Sequence, residues 1–225
     1  MDRDDPAYRG QAEYSPGFLR IYDGLVLGLF ARFVWRMSTG DHIRLYREQI
    51  RPNHLDVGPG TGYFLEHAGL PAGSRVTIID PNPNVLRHVT RRLEPLDVTA
   101  VEADVLKPLP TLGPFASAAL SGVIHCLPGP MERKAVAVEH IARVLLPDGV
   151  FFGQTILGQS AMHTRLGRRL LATVNKRGTF DNLDDTEAGL RAILERSFRE
   201  VDLRTHRATA TFVAKRPIDV TAPGD

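Results

Sequence analysis

The chain has 225 residues, with 28 Lys and Arg against 26 Asp and Glu, and 43% of it is apolar. That length allows one large domain with a buried core, so neither disulfides nor a structural metal are needed to hold it together. The single cysteine, Cys126, excludes a disulfide framework and a cysteine-based zinc site, and a formal charge of +2 gives no argument for nucleic-acid binding, which clusters Lys and Arg in excess.

The start, Met1-Asp-Arg-Asp-Asp-Pro, is acidic where a secretory leader needs basic residues ahead of an apolar run. Stretches free of Asp, Glu, Lys and Arg, residues 115–131 and 149–164 among them, are broken by Gly, Pro, Ser, His or Gln. Those two are also shorter than the roughly 18–20 apolar residues of a membrane span. A soluble cytoplasmic protein is the expectation.

Residues 1–15 are polar and punctuated by Gly and Pro. From residue 16 to 37, Phe18, Leu19, Ile21, Tyr22, Leu25, Val26, Leu29, Phe30, Phe33 and Val34 repeat at i, i+3, i+4, the period of a helix with a wide apolar face. Gly24 and Gly28 lower the propensity there and allow a bend. A second helix is expected at 41–49. The texture then changes to short apolar runs at 54–57, 75–80, 96–102, 115–121 and 150–155, separated by helical stretches at 62–67, 84–93 and 131–145. That alternation predicts a parallel sheet covered on both faces. Leu145-Leu-Pro-Asp-Gly149 reads as a turn ahead of the fifth strand. Helices at 160–175 and 184–197 follow, then strands at 200–203 and 208–215 able to pair antiparallel.

The most informative segment is His54-Leu-Asp-Val-Gly-Pro-Gly-Thr-Gly-Tyr-Phe-Leu-Glu66. A buried strand ends in Asp56, then Gly58, Gly60 and Gly62 alternate around Thr61, and a helix begins. Such glycines let the backbone approach a ligand with positive φ, and the helix start behind them offers free N–H groups and partial positive charge. An anionic group, phosphate or carboxylate, suits the loop. A dinucleotide fingerprint would need Gly or Ala at position 63, where Tyr stands. Asp56 would repel a pyrophosphate but can accept bonds from an ammonium, so a ligand carrying both amine and carboxylate fits better. Asp80 closes the next strand, where a doubly wound fold places the acid that holds ribose hydroxyls. Asp104 follows the third strand, where it can accept from an adenine amino group while Val105 packs on the ring.

Asp56-Val-Gly-Pro-Gly-Thr-Gly62, Ile79-Asp80, Ala103-Asp104-Val105, Ser121-Gly-Val-Ile-His-Cys-Leu127 and Leu145-Leu-Pro-Asp-Gly149 resemble, in order, the sequence blocks of class I S-adenosylmethionine-dependent methyltransferases, over roughly residues 50–155. The resemblance implies a doubly wound, Rossmann-like α/β fold with a seven-stranded, mostly parallel sheet whose last strand is antiparallel. It implies S-adenosylmethionine as cofactor and S-adenosylhomocysteine as product. Gly58, Gly60, Thr61 and Gly62 would lie against the methionine part, Asp80 with Pro81 and Asn82 at the ribose, Asp104 and Val105 at the adenine, and Ser121 and Gly122 near the sulfur. Tyr22 resembles an aromatic that closes over the cofactor in quinone-modifying relatives, an arrangement suited to a sulfonium; alternatively it is a core residue.

The chain then divides into a tail and helical lid, residues 1–50, and a cofactor domain, 51–225, with a helical insertion at about 156–197. Trp35 either lines the substrate pocket or anchors its helix. His125, just past the fourth strand, is the best-placed general base; Cys126 reads as an apolar filler. No Asp or Glu occurs from 155 to 180, while Arg165, Arg168, Arg169, Lys176 and Arg177 do. Arg165 and Arg169 are candidates to meet an acidic substrate group, against the plainer reading of a solvated helix face.

The expected activity is methyl transfer to O, N or C of a small organic molecule, in secondary or quinone-like metabolism, without a metal. The expected partner is that small molecule and not nucleic acid, with a homodimer left open. The alternative is a protein of the same fold that binds S-adenosylmethionine without transferring methyl. A nucleic-acid methyltransferase is disfavoured, because the stretch Ser121-Gly-Val-Ile-His125 stands where an Asn/Asp-Pro-Pro-aromatic block would be.

Overall fold

The structure, a computed structural model, describes residues 38–160 and 162–218. The helix expected at 16–37, with Tyr22 and Trp35, lies outside the described residues.

Helix α1 (Thr39–Gln49) starts where the Ser38 hydroxyl accepts the Asp41 N–H, and its i, i+3, i+4 residues His42, Leu45 and Tyr46 face inward. The chain continues through β1 (His54–Val57), α2 (Tyr63–Glu66), β2 (Arg75–Ile79), α3 (Pro83–Arg92), β3 (Asp97–Val101) and β4 (Phe115–Ala119). A 3₁₀ turn (Ile124–Cys126), α4 (Met131–Arg143), β5 (Leu145–Ile156), α5 (Arg165–Lys176), α6 (Glu187–Glu195), β6 (Phe198–His206) and β7 (Thr209–Pro217) complete it. The seven strands form one sheet in the order β3-β2-β1-β4-β5-β7-β6. All neighbours up to β5 are parallel, and β7 runs antiparallel to both β5 and β6. The chain moves outward from β1 to β3 and returns beside β1 as β4, so the winding reverses between β1 and β4. In open α/β sheets ligands bind outside the strand ends at that reversal.

Both sheet faces are covered. On one, Ala135, Val138 and Ile141 of α4 and Leu190, Ile193 and Leu194 of α6 pack on Leu55, Val57 and Phe151. On the other, Leu45 and Tyr46 of α1, Leu65 of α2, and Val85, Leu86 and Val89 of α3 pack on Ile78, Ala119 and Phe152. The first face carries a buried ion pair. The Lys134 ammonium, fully buried in α4, donates to both oxygens of Asp185 at 2.8 and 2.7 Å and to the Asp181 carbonyl at 2.6 Å. Its three protons are thereby placed, and the segment between α5 and α6 is tied to α4.

Three boundaries differ from the sequence expectation. The segment 145–149 is not a free turn, because β5 begins at Leu145, opposite Phe115. Pairing then resumes only at Ser117 with Val150, so Leu-Pro-Asp-Gly bulges out of one long strand. Helices α5 and α6 begin later than expected, each where a threonine, Thr164 or Thr186, caps the N–H three residues on. The last two strands extend to nine residues each by pairing together. Among residues 102–114 there is no helix. A cavity of about 470 Å³ lies there, lined by Arg75, Thr77, Asp97, Thr99 and Pro114 among others. It sits toward the N-terminal strand ends, opposite the glycine loop.

Candidate functional site

The loop after β1 is shaped by two requirements. Gly58 has φ +67°, and its N–H bonds the Ile79 carbonyl at 2.8 Å, drawing the loop across the end of β2. A Cβ at position 58 would stand 2.5 Å from a methyl of Val123, in the turn after β4. The two loops that flank the winding reversal therefore meet only because residue 58 has no side chain. Gly60 (φ +59°) and Gly122 (φ +76°) also need positive φ, but a Cβ at either would meet nothing within 4 Å. Open backbone at both sides of the reversal is a cradle into which a ligand can be laid. Gly58→Ala is expected to lose about 1–3 kcal/mol more than Gly60→Ala, because the Val123 clash adds to the φ strain that both share. Gly60→Ala should stay within about 1–2 kcal/mol, from strain alone. Thermal melts of the two variants check this, and equal losses would refute the close approach.

Asp80 stands at the end of β2, 8% exposed, with Oδ1 accepting the Asn82 N–H at 2.7 Å. Burial pushes its carboxyl up to about 7, against the pull of that N–H. Asn82 in turn caps α3 by accepting the Asn84 N–H, with Pro83 at the first helical position, so Asp80, Pro81 and Asn82 form one rigid corner. Thr61 is buried, and its carbonyl accepts from Arg92 at 3.2 Å.

Other expected site residues sit differently. Asp56 does not face the loop. Strand alternation turns its side chain to the α1 face, where Oδ2 accepts the Tyr46 hydroxyl at 3.0 Å and lies 3.7 Å from His54 Nε2. Burial raises its pKa, opposed by His54 and Tyr46; the residue is 1% exposed, so its carboxylate braces α1 against β1. Asp104 accepts the Leu106 N–H at 2.9 Å in a tight turn, 3.8 Å from Lys107. Val105 is buried in the core rather than offered as a ring platform.

His125 is buried with its ring edge-on to Phe180, centroids 4.3 Å apart. Its Nδ1 accepts the Ile156 N–H at 3.3 Å, with Thr155 Oγ1 at 3.2 Å, which makes Nε2 the protonated nitrogen of the neutral ring. Burial, then the Lys134 charge, lowers its pKa to about 3. A general base needs a free lone pair and a pKa near the working pH, and His125 so held has neither. Burial pushes the Cys126 thiol up to about 12, as expected of an unreactive filler. Arg165 and Arg169 are exposed on α5.

Sequence reasoning missed His42. It projects from the first turn of α1, with its ring stacked on Phe64 of α2 (centroids 3.7 Å) and Nε2 2.6 Å from Ser121 Oγ. The spacing of His42 and Tyr46, one turn apart, was the available signal. No set of three or more His, Cys, Asp or Glu able to hold a metal occurs among the described residues.

Residues 55–153 match the family model described as a methyltransferase domain. The chain is 38% identical over 202 residues to demethylluteothin O-methyltransferase of Streptomyces thioluteus, covering 89% of this chain and 88% of that one. It is 34% identical over 221 residues to a physcion biosynthesis cluster O-methyltransferase of Aspergillus chevalieri, covering 96% and 99%. An N-methyltransferase of Penicillium aethiopicum is 34% identical over 185 residues, covering 81% and 78%. Among solved structures, the N-methyltransferase NodS of Bradyrhizobium japonicum in complex with S-adenosylhomocysteine superposes with TM-score 0.59 at 19% identity, over 82% of this chain and 92% of that one. That likeness covers the fold, and the sequence identities carry the family. This chain belongs to the class I S-adenosylmethionine-dependent methyltransferases of small molecules.

Proposed function

We propose that the protein methylates an acidic hydroxyl, phenolic or enolic, on a small molecule of secondary metabolism. The observation that carries this is the state of the buried histidines. His125 Nδ1 is taken by the Ile156 N–H and His42 Nε2 by Ser121 Oγ, and burial lowers both rings to about 3, so neither is a ready proton acceptor. A hydroxyl that ionises by itself needs none. The bound cofactor supplies an activated methyl on a positively charged sulfur. The protein's part is to hold donor and acceptor in line and exclude water. The two O-methyltransferase relatives support oxygen as the acceptor atom.

In this reading Gly58, Gly60, Thr61 and Gly62 cradle the methionine part, the Asp80–Asn82 corner holds the ribose, and the backbone around Asp104 and Val105 borders the adenine. Ser121 and Gly122 face the sulfur. Asp56 acts from beneath the loop, through α1. His125 and Phe180 wall the acceptor side, joined to residues 156–197 by the Asp181 N–H on the His125 carbonyl at 2.9 Å. Residues 1–50, with Tyr22 and Trp35, would close over the cofactor, and Arg165 and Arg169 would receive acidic substrates at the rim. The cytoplasm is the proposed location; no helix among the described residues is long and apolar enough to cross a membrane. A homodimer remains part of the proposal, and nucleic acid does not.

The test is methyl transfer to matched phenol, aliphatic alcohol and amine acceptors, followed by release of S-adenosylhomocysteine. The expected result is transfer to the phenol alone, with a rate that rises with pH until the phenol is ionised. Transfer to the amine or the aliphatic alcohol would overturn the reading.

A further inference from the structure

At the β4 side of the crevice a group of uncharged polar side chains has more accepting capacity than the protein uses. Ser121 Oγ accepts the Gln154 backbone N–H at 3.2 Å, and in the tautomer of the neutral ring that carries its proton on Nδ1 it donates to His42 Nε2 at 2.6 Å, which leaves Oγ one unused lone pair. Because the His42 ring also stacks on Phe64, one imidazole bridges the helix behind the glycine loop and the turn after β4. Gln154 brings a second oxygen. Its Nε2 donates to Thr211 at 2.9 Å, while Oε1 is buried without a hydrogen-bond partner in a residue only 7% exposed. Alternation along β5 puts this side chain on the same face as Phe152, which packs on Tyr46 and His54. An orphaned buried acceptor costs stability unless something binds there. Burial also keeps His42 neutral.

A ligand laid across the winding reversal with its diol at Asp80, on the β2 side, has its other end at β4. In S-adenosylmethionine that end is a sulfonium, a cation whose sulfur and methyl hydrogens attract oxygen lone pairs. After transfer it is an uncharged thioether. We propose that Ser121 Oγ, held in place by His42, supplies an uncharged oxygen to the sulfonium methyl and so raises affinity for the charged donor relative to the neutral product. Ser121 touches the cofactor and His42 is its positioning residue. A cationic ring at position 42 would repel the sulfonium, which is why a buried, neutral imidazole suits the place. The inference rests on the reading of the glycine loop and Asp80 as the cofactor cradle.

The experiment is calorimetric titration of the full chain with S-adenosylmethionine and S-adenosylhomocysteine separately, read as the ratio of the two dissociation constants. Ser121→Ala is expected to weaken the donor about tenfold and the product less than about twofold, as loss of a contact to a charged group requires. His42→Phe should shift the ratio the same way, and His42→Gln, whose amide can still reach Ser121, should recover most of the shift. Equal weakening of both ligands by Ser121→Ala, or a folded His42→Phe with the wild-type ratio, overturns the inference. If His42→Phe does not fold, Ser121→Ala and His42→Gln decide it. Wild-type protein that binds neither ligand, or Asp80→Ala that binds both normally, overturns the cradle itself and this inference with it.

Discussion

Lys134→Met is expected to destabilise the protein by about 3–5 kcal/mol, and adding Asp185→Leu to recover most of that loss. Lys134 is fully buried, and its ammonium is spent on Asp185 and the Asp181 carbonyl. Removing it leaves the Asp185 carboxylate inside the protein without its cation, whereas removing both leaves two apolar groups of similar size. For a domain this large the single variant should melt roughly 6–20 °C lower. Its deficit should shrink as pH falls, because burial already raises the Asp185 pKa and a protonated carboxyl needs no cation. Paired melts across pH are the measurement. A double variant as unstable as the single one would show that the contact to the Asp181 carbonyl, not the ion pair, holds the segment.

Asp80→Asn is expected to weaken S-adenosylhomocysteine about 30- to 150-fold at pH 8, the loss of about 2–3 kcal/mol for charge-assisted bonds to a diol. The pH dependence follows from the raised carboxyl. Asp80 titrates near 7 in the free protein, and hydroxyls donating to it favour the charged form, so its pKa falls on binding. Wild-type affinity should therefore be level above about pH 7 and decline below it, approaching tenfold per unit; Asp80→Asn should be flat. The stability sign is opposite. A carboxyl whose folded pKa lies above its unfolded value of about 3.9 destabilises the fold above pH 7, and that cost fades as pH falls toward 4. Ligand-free Asp80→Asn should thus melt higher than wild type at pH 8 while binding worse. A variant that loses stability, or keeps the wild-type pH profile, would mean that Asp80 is not the ionised acceptor.

The order of elements was legible because local rules decide it. The apolar runs at 54–57 and 115–121 are too short and too flanked by Gly for helices, and α3 carries its signals openly in Asn82 and Pro83. The loop Gly58–Gly62 was legible for the same reason, since alternating glycines between a strand and a helix have few other uses. The direction of the Asp56 side chain was not legible. Its place at a strand end suggests a ligand contact, but which face an odd or even position takes depends on where α1 packs. His42 was not legible because its one-turn spacing to Tyr46 is shared by any inward-facing pair on an amphipathic helix. Its partners Phe64 and Ser121 are 22 and 79 residues away.

Sequence alone determined the fold class, the βα order, the glycine loop and the family of this chain, because each rests on short-range periodicity, turn chemistry and motif spacing. Only the tertiary structure decided which polar side chains are buried and what they touch. It put Asp56 on Tyr46, Val105 in the core, Lys134 on Asp185, His125 under the Ile156 N–H and His42 against Ser121. Burial and the partners brought by distant segments set charge state and hydrogen-bond capacity, and the linear order of residues carries neither.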